Sequence, residues 1–167
     1  LDIFLDQFKN NYMINYLRES KPLGTAGCLK KMNFKNNFFL INCDTYININ
    51  FQNLLKFHKN SKSLITMVAS IKSFNLSFGE CVLDNHGKLK KILEKPKKNF
   101  LTNTGLYVIK PEIKKYLPKK NNFGMDELLS TLLKSKKKIS VFPIPNDDWK
   151  DTGTWMNYLD TLKNKIY

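Results

Sequence analysis

The chain has 167 residues, of which 42% are hydrophobic, and a net charge of +14 at pH 7. This length suits one domain with a sizeable core, and this hydrophobicity excludes a disordered chain. No apolar run approaches the roughly 20 residues that span a bilayer, and no cleavable signal peptide is visible, so we expect no membrane partner. The odd set of cysteines, Cys28, Cys43 and Cys81, lacks metal-ligand spacing and predicts buried, reduced thiols in a cytoplasmic protein.

The positive charge by itself suggests a nucleic-acid partner. However, Arg18 is the only arginine, and proteins that recognise nucleic acids use arginine for bidentate contacts. The lysines are scattered along the sequence, and the densest run, at residues 134–138, is typical of a solvated helix end. We therefore expect no nucleic-acid partner.

The first half of the chain alternates between predicted strands and helices. Residues 1–8 predict the end of an amphipathic helix, and residues 12–17 predict a strand. A short helix follows a glycine-bearing turn at residues 24–32, and residues 38–43 form an apolar run typical of a parallel strand buried on both faces. Asn50 is expected to cap a helix, and residues 63–71 predict another buried strand. This order indicates an α/β fold with right-handed crossovers.

The second half begins with a predicted β-hairpin, formed by residues 79–84 and 89–94 around a turn. Residues 104–109 predict a strand, Pro111 begins a short helix, and residues 126–134 predict a helix with four leucines on one face. Residues 139–144 predict a strand, and helical spacing of Trp155, Tyr158, Leu159 and Leu162 predicts a closing helix. Trp149 and Trp155 are expected to lie in the core or in a pocket wall. His58 is expected to pack within the fold from its helix.

Two aspartates at predicted strand ends, Asp44 and Asp151, are the strongest candidates for chemistry. A carboxylate beside apolar segments is costly without a partner, and two that converge could hold one divalent cation. Open α/β sheets bind ligands at the carboxyl ends of strands, so a separation of 107 positions (151 − 44) does not prevent convergence. The alternative is that Asp44 caps a turn and Asp151 pairs with a lysine.

Six segments in order resemble the sugar-1-phosphate nucleotidyltransferases, and among them most closely the bacterial mannose-1-phosphate guanylyltransferase-like members. They are Pro-Leu-Gly-Thr-Ala-Gly at 22–27, Asn-Cys-Asp at 42–44, Phe-Gly at 78–79, Glu-Lys-Pro at 94–96, Asn-Thr-Gly-Leu-Tyr-Val at 103–108 and Trp-Lys-Asp-Thr-Gly-Thr at 149–154. Cys43 departs from the pattern, because many members have glycine there.

The resemblance implies a fold, a reaction and its partners. The fold would be an incomplete Rossmann-like mixed sheet with helices on both faces and a β-hairpin subregion that binds sugar. A sugar 1-phosphate would attack the α-phosphate of a nucleoside triphosphate, with GTP favoured, to give a nucleoside-diphosphate sugar and pyrophosphate. Mg²⁺ is the implied cofactor, surface-glycan synthesis the implied role, and a homo-oligomer is compatible with the resemblance.

The resemblance also assigns roles to particular residues. Asp44 and Asp151 would bind the metal, and Lys95 would hold the sugar phosphate as a point charge. The remaining assignments place Gly24, Thr25, Ala26 and Gly27 against the nucleotide, and Gly79, Glu94, Asn103, Thr104 and Gly105 around the sugar. Ordinary turn geometry is the alternative for the glycines, Glu94 could simply pair with a neighbouring lysine, and Lys95 stands in a chain rich in lysine.

The family's glycine-rich phosphate loop, Gly-Gly-x-Gly-Thr-Arg-Leu, has no counterpart in this sequence. We therefore expect a single domain truncated at its N-terminus, with residues 1–75 as the remainder of the nucleotide-binding half and residues 76–167 as the sugar-binding half. The isolated chain is expected to have little or no transferase activity. A non-catalytic remnant that binds a nucleotide sugar or regulates a partner is the alternative, whereas Asp44-Thr45-Tyr46 lacks the Asp-x-Asp of many glycosyltransferases.

Overall fold

The computed structural model describes residues 15–163. A four-stranded mixed sheet lies at its centre, in the order β1-β6-β3-β7, and two ribbons, β2-β8 and β4-β5, flank it. The strands are β1 (Phe38–Ile41), β2 (Thr45–Ile47), β3 (Ile65–Asn75), β4 (Glu80–Leu83), β5 (Leu89–Leu93), β6 (Lys97–Ile109), β7 (Ile139–Ile144) and β8 (Trp149–Asp151). The α-helices are α1 (Gly24–Gly27), α2 (Phe51–Ser61), α3 (Met125–Lys134) and α4 (Trp155–Lys163), and 3-10 turns occupy Cys28–Lys30, Pro111–Tyr116 and Asn146–Asp148.

Helices cover both faces of the sheet, as expected. Alternate residues of β3 and β6 point to opposite faces because strand side chains have a period of two. On one face Ile65 and Ile109 pack with Leu128 of α3, and on the other Val68 and Leu106 pack with Leu54 of α2. The predicted mixed α/β architecture is confirmed.

The strands differ in how they meet the prediction. Strand β7 has the predicted bounds and runs parallel to β3, whereas β6 is antiparallel to both β1 and β3. The prediction that residues 38–43 form a parallel strand buried on both faces is wrong for the described residues. Strand β1 lies at the edge of the described sheet and pairs only with the antiparallel β6 there. Its exposed residues Phe39 and Ile41 alternate with the half-buried Phe38 and Leu40, so one face of the strand is left uncovered by the described residues.

Several other predictions are corrected by the described part of the chain. Residues 15–17 form no strand there, and the predicted helix at 1–8 and the rest of the strand at 12–14 lie outside the described residues. Leu133 is 63% exposed and does not share the buried face of α3, because its neighbours Leu128 and Leu132 already fill the contact with the sheet. Trp155 is 72% exposed, so it belongs to neither the core nor a described pocket wall.

The cysteines are free thiols, as expected, but only Cys28 is partly buried, whereas Cys43 and Cys81 are exposed. Cys43 lies in the turn after β1, and Cys81 lies on the hairpin, so neither reaches the core. His58 packs as predicted: it is fully buried in α2, with Nδ1 hydrogen-bonded to the Thr66 hydroxyl at 2.8 Å. Within residues 15–163, no helix has the length and apolar character needed to cross a bilayer.

Candidate active site

The ribbon β2-β8 brings the two predicted aspartates together. Thr45 pairs with Asp151 across the ribbon, and Asp44 directly precedes Thr45. The backbone N–H and the hydroxyl of Thr152 donate to the carbonyl of Asp44, at 2.8 and 3.0 Å. These contacts join two segments that are more than 100 positions apart in the sequence.

Gly153 separates the two carboxylates. Its N–H donates to Asp151 Oδ1 at 2.8 Å. A Cβ added to this glycine would lie 3.0 Å from Asp151 Oδ1 and 3.0 Å from Asp44 Oδ2, so these oxygens are within about 6 Å of each other. Both aspartates are exposed to solvent. The geometry leaves the space between the carboxylates open because residue 153 has no side chain.

A cavity of about 460 Å³ opens in front of these carboxylates. Six of the site residues predicted from the sequence line this cavity, and they come from α1, the turn before β2, β6 and β8. They are Thr25, Asp44, Asn103, Thr104, Gly105 and Asp151. We refer to this space as the first lobe.

The floor of the first lobe requires glycine at position 105. Gly105 has φ +78°, which is strained for other residues, and a Cβ there would lie 2.7 Å from Asn42 Nδ2. The Asn42 N–H in turn donates to the Gly105 carbonyl at 3.1 Å. The close approach of Asn42 therefore explains why position 105 requires glycine. The hydrogen bond between Asn42 and Gly105 also holds the turn that carries Asp44.

The wall beside this floor is a polar network on β6. Asn103 Nδ2 donates to the Tyr107 hydroxyl at 2.5 Å, and Asn103 Oδ1 accepts from the Gly105 N–H at 3.1 Å. Burial raises the pKa of Tyr107, the negative charge of Asp126 raises it further, and the hydrogen bond from Asn103 opposes both. The phenol consequently stays protonated at neutral pH. The Thr104 hydroxyl donates to the Val68 carbonyl at 2.9 Å, so its proton is used within the sheet and is not free for a ligand.

The glycine-bearing turn at α1 packs tightly against residues 121–124. A Cβ on Gly24 would lie 2.5 Å from the Phe123 carbonyl oxygen, and one on Gly27 would lie 2.5 Å from the Asn121 carbonyl oxygen. These carbonyl groups close that side of both glycines to a ligand, and Gly27 is buried. Ala26 is buried, and the Thr25 hydroxyl accepts from the Met125 N–H at 3.0 Å while Thr25 lines the first lobe.

The predicted sugar and phosphate residues of the hairpin are not brought to the first lobe. Gly79 and Glu94 are neighbours, since a Cβ on Gly79 would lie 3.2 Å from Glu94 Oε2. Lys95 is exposed, has φ +42° and lies in the bend between β5 and β6. None of these three residues lines the first lobe.

Trp149 lines the first lobe, consistent with the expectation that it forms a pocket wall. The lobe also contains residues that the sequence did not assign to a site. They are Asn42, Thr45, Thr102, Tyr107, Met125 and Asp126. Asp126 is the most consequential, because it adds a third carboxylate. Its sequence signal was ambiguous, since an acidic residue in the first turn of a helix also stabilises the helix dipole.

The residues present fit a magnesium ion. Mg²⁺ takes one or two carboxylates together with phosphate and water, at about 2.0–2.1 Å. Two exposed carboxylates within about 6 Å of each other reach a shared ion by side-chain rotation. The described residues hold no group of three His, Cys, Asp or Glu side chains placed to enclose a metal. The two aspartates would therefore leave the remaining ligand positions to phosphate and water.

The fold is a mixed α/β sheet with an acidic cavity beside it, and comparison with known proteins identifies the family. A family model described as nucleotidyl transferase matches residues 2–166. The chain therefore belongs to the nucleotidyl transferase family, which is a family of enzymes.

Its relatives are named as sugar-phosphate nucleotidyltransferases. The chain is 30% identical to mannose-1-phosphate guanyltransferase 2 of Candida glabrata, over 93% of this chain and 45% of that protein. It is 28% identical to UTP–glucose-1-phosphate uridylyltransferase of Synechocystis, over 87% of this chain and 40% of that protein. The chain thus spans less than half the length of these relatives.

Solved structures share the fold. The crystal structure of HddC from Yersinia pseudotuberculosis matches with a TM-score of 0.67 and 21% identity, over 98% of this chain and 73% of that one. The same protein complexed with GMP-PN matches with a TM-score of 0.65 and 20% identity. These similarities confirm the Rossmann-like mixed α/β fold.

Proposed function

We propose that this chain forms the metal-binding and sugar-binding part of a sugar-1-phosphate nucleotidyltransferase. The observation that supports it best is the convergence of Asp44 and Asp151 on Gly153 at the mouth of a polar cavity. Family membership supports the same reaction, because both named relatives join a nucleotide to a sugar 1-phosphate.

In the proposed reaction, a phosphate oxygen of the sugar 1-phosphate attacks the α-phosphorus of a nucleoside triphosphate. A new P–O bond forms, the bond to the bridging oxygen of the β-phosphate breaks, and pyrophosphate leaves. Such transfers need positioning and charge neutralisation more than covalent help from the protein. Mg²⁺ held by Asp44 and Asp151 would supply part of that neutralisation.

Other residues would orient the two substrates. Thr25, which lines the first lobe, and the exposed backbone of Gly24 would face the nucleotide, whereas Ala26 and Gly27 are buried and would only support that turn. Asn103, Thr104 and Gly105 would face the sugar. The hairpin residues Gly79, Glu94 and Lys95 would complete the sugar side, with residues 1–75 and 76–167 as the nucleotide and sugar halves. Strands from both halves share one sheet, which supports treating them as a single folding unit.

Charge supports the view that this chain alone is a poor catalyst. The first lobe is lined by Asp44, Asp126 and Asp151 and by no lysine or arginine within the described residues. A triphosphate carries several negative charges, and carboxylates without nearby cations repel it. We infer that robust turnover needs cationic groups from outside this lobe to neutralise the triphosphate.

The names of the relatives favour guanine as the base and mannose 1-phosphate as the sugar substrate. A 30%-identical relative is named for guanylyl transfer and a 28%-identical one for uridylyl transfer, and a structural neighbour is complexed with GMP-PN. A cytoplasmic location, a role in surface-glycan synthesis and a homo-oligomeric state extend the proposal on the basis of the family resemblance.

The metal role is tested by titrating GDP-mannose into the chain with Mg²⁺ and with EDTA. We expect Mg²⁺-dependent binding that weakens at least about tenfold in Asp151→Asn, since the amide removes one charged ligand. Asp148→Asn is the matched control, because Asp148 lies three positions away and lines neither the first lobe nor the cavity beside it.

Equal affinity in Mg²⁺ and EDTA, or equal losses in both variants, would contradict the metal role. A pyrophosphate-release assay with GTP and mannose 1-phosphate tests the second part of the proposal. Robust turnover by the 167-residue chain alone would refute the inference that it needs further cations.

A further inference from the structure

A second cavity of about 370 Å³ adjoins the first lobe, and we refer to it as the second lobe. The two lobes share three lining residues, Thr102, Trp149 and Asp151. Asp151 therefore stands at the boundary between them. A ligand in the second lobe lies next to one of the two carboxylates proposed to hold the metal.

The lobes differ in charge. Among the described residues, the first is lined by three carboxylates and no cation, whereas the second is lined by Asp147, Asp151 and Asp160 together with two lysines, Lys72 and Lys150. The Lys150 ammonium lies 3.9 Å from a carboxylate oxygen of Asp160 and is partly neutralised. Lys72 makes no ion pair with any residue of 15–163 and shares the lobe with Asp147 and Asp151, so a phosphate would meet a lysine whose charge no described carboxylate contacts directly.

The sheet holds Lys72 in this position. Ser70 pairs with Thr102 and Lys72 pairs with Phe100 in the antiparallel ladder of β3 and β6, which places all four on one face of the sheet. The Lys72 ammonium lies 4.7 Å from the centroid of the Trp149 ring, a cation–π distance. The side chain is thus directed across the second lobe towards the strand that ends at Asp151.

We propose that Lys72 binds the phosphate group of the sugar 1-phosphate in the second lobe, beside Asp151. The identity of this ligand rests on the function proposed above, whereas the binding of a phosphate monoester rests on the lobe itself. Lysine serves as a compact point charge for phosphate, and here it neutralises an anion that the carboxylates of the first lobe would repel. Lys95, the lysine expected from the sequence, lines neither lobe.

The alternative is that Lys72 merely packs its stem on Trp149, as long cationic side chains often do. The two cases differ in what they predict for phosphorylated and unphosphorylated ligands. A packing role affects stability and leaves the preference for a phosphate unchanged. A binding role affects the preference for a phosphate and leaves free sugar unaffected.

The experiment titrates mannose 1-phosphate, mannose and inorganic phosphate into the chain in the presence of Mg²⁺. Trp149 fluorescence serves as the readout in a Trp155→Phe background, because these are the only two tryptophans and Trp155 is 72% exposed. The variants are Lys72→Gln, Lys72→Arg and the control Lys90→Gln, whose lysine is exposed on the hairpin. Circular dichroism confirms that each variant is folded, and calorimetry repeats the titration without relying on Trp149.

We expect mannose 1-phosphate to bind at least tenfold more tightly than mannose in the parent and in Lys90→Gln. Lys72→Gln should lose most of that preference, and Lys72→Arg should keep it. An unchanged preference in Lys72→Gln, or no preference for phosphate in the parent, would overturn the proposal. If Lys72→Gln loses phosphate binding while Asp151→Asn still binds GDP-mannose with Mg²⁺, the phosphate site stands and the proposed function fails.

Discussion

At the scale of single residues, the site depends on two glycines whose missing side chains leave room for neighbouring polar side chains. Gly153 leaves the space between Asp44 and Asp151 open, and Gly105 accommodates Asn42 at a positive φ. The motif Asn-Thr-Gly at 103–105 predicted a sugar pocket, and the structure adds a geometric reason for its glycine. The missing side chain at position 153 and the positive φ at position 105 together allow the two aspartates to converge.

The ionisation of His58 links the stability of the fold to pH. This residue is fully buried in α2, and both burial and the positive charge of Lys110 lower its pKa below the ordinary 6.5. The folded chain therefore protonates His58 less readily than the unfolded chain does as the pH falls below about 6.5. Stability from this group is complete above that pH and is lost as the pH decreases, by at most about 1.4 kcal/mol per pH unit.

We expect urea unfolding to show a lower free energy of unfolding at pH 5.0 than at pH 7.5, and His58→Asn to reduce that difference. His86→Asn is the control, because His86 lies exposed in the hairpin turn and should leave the difference unchanged. If the two variants have the same pH dependence, His58 does not carry the effect.

At the scale of elements, local signals placed most helices and strands correctly. Asn50 caps α2, with its side-chain oxygen accepting from the Asn53 N–H at 3.0 Å, as its position before an amphipathic run predicted. Strand β7 and the hairpin also follow their patterns closely. Burial was harder to predict, because Leu133 and Trp155 match a helical period yet face solvent.

The cap supports a prediction about helix α2. Asn50→Ala removes the acceptor for the Asn53 N–H and should lower the free energy of unfolding by about 1 kcal/mol. Asn53→Ala is the matched control, since alanine favours a helix interior and should leave stability equal or slightly higher. Chemical denaturation of both variants measures this, and a loss as large in Asn53→Ala would show that the cap contributes nothing specific.

At the scale of the whole molecule, lysines gather at the end of the sheet where β3 and β7 begin. Two cavities there share Lys110 and Glu112 in their walls. The lysines that line them are Lys35, Lys59, Lys62, Lys110, Lys137 and Lys138. A scattered pattern in the sequence thus becomes a concentrated positive surface in the fold, with one glutamate to offset it.

This concentration predicts that salt stabilises the chain. Raising NaCl from about 20 to 300 mM at pH 8 screens the repulsion, and a gain of about 1 kcal/mol would raise Tm by about 2–4 °C. Lys110→Gln should show a smaller gain, because it removes the lysine common to both cavities. An unchanged or lower Tm at high salt would contradict this account of the charge.

The sequence by itself determined the α/β class, most of the longer helices and strands, the cap at Asn50 and the family to which the six motifs point, but neither β2 nor β8. These features depend on periodicity and on residues close together in the chain. The tertiary structure decided which residues come together. It places Asp44 near Asp151 across β2-β8, and it adds Asp126 to the same cavity. It also places β1 at the edge of the described sheet, and it puts Lys72 rather than Lys95 in a lobe that contains Asp151. Pairing between strands that are distant in the sequence determines these contacts, and the pattern of residues within one segment does not predict its pairing partner.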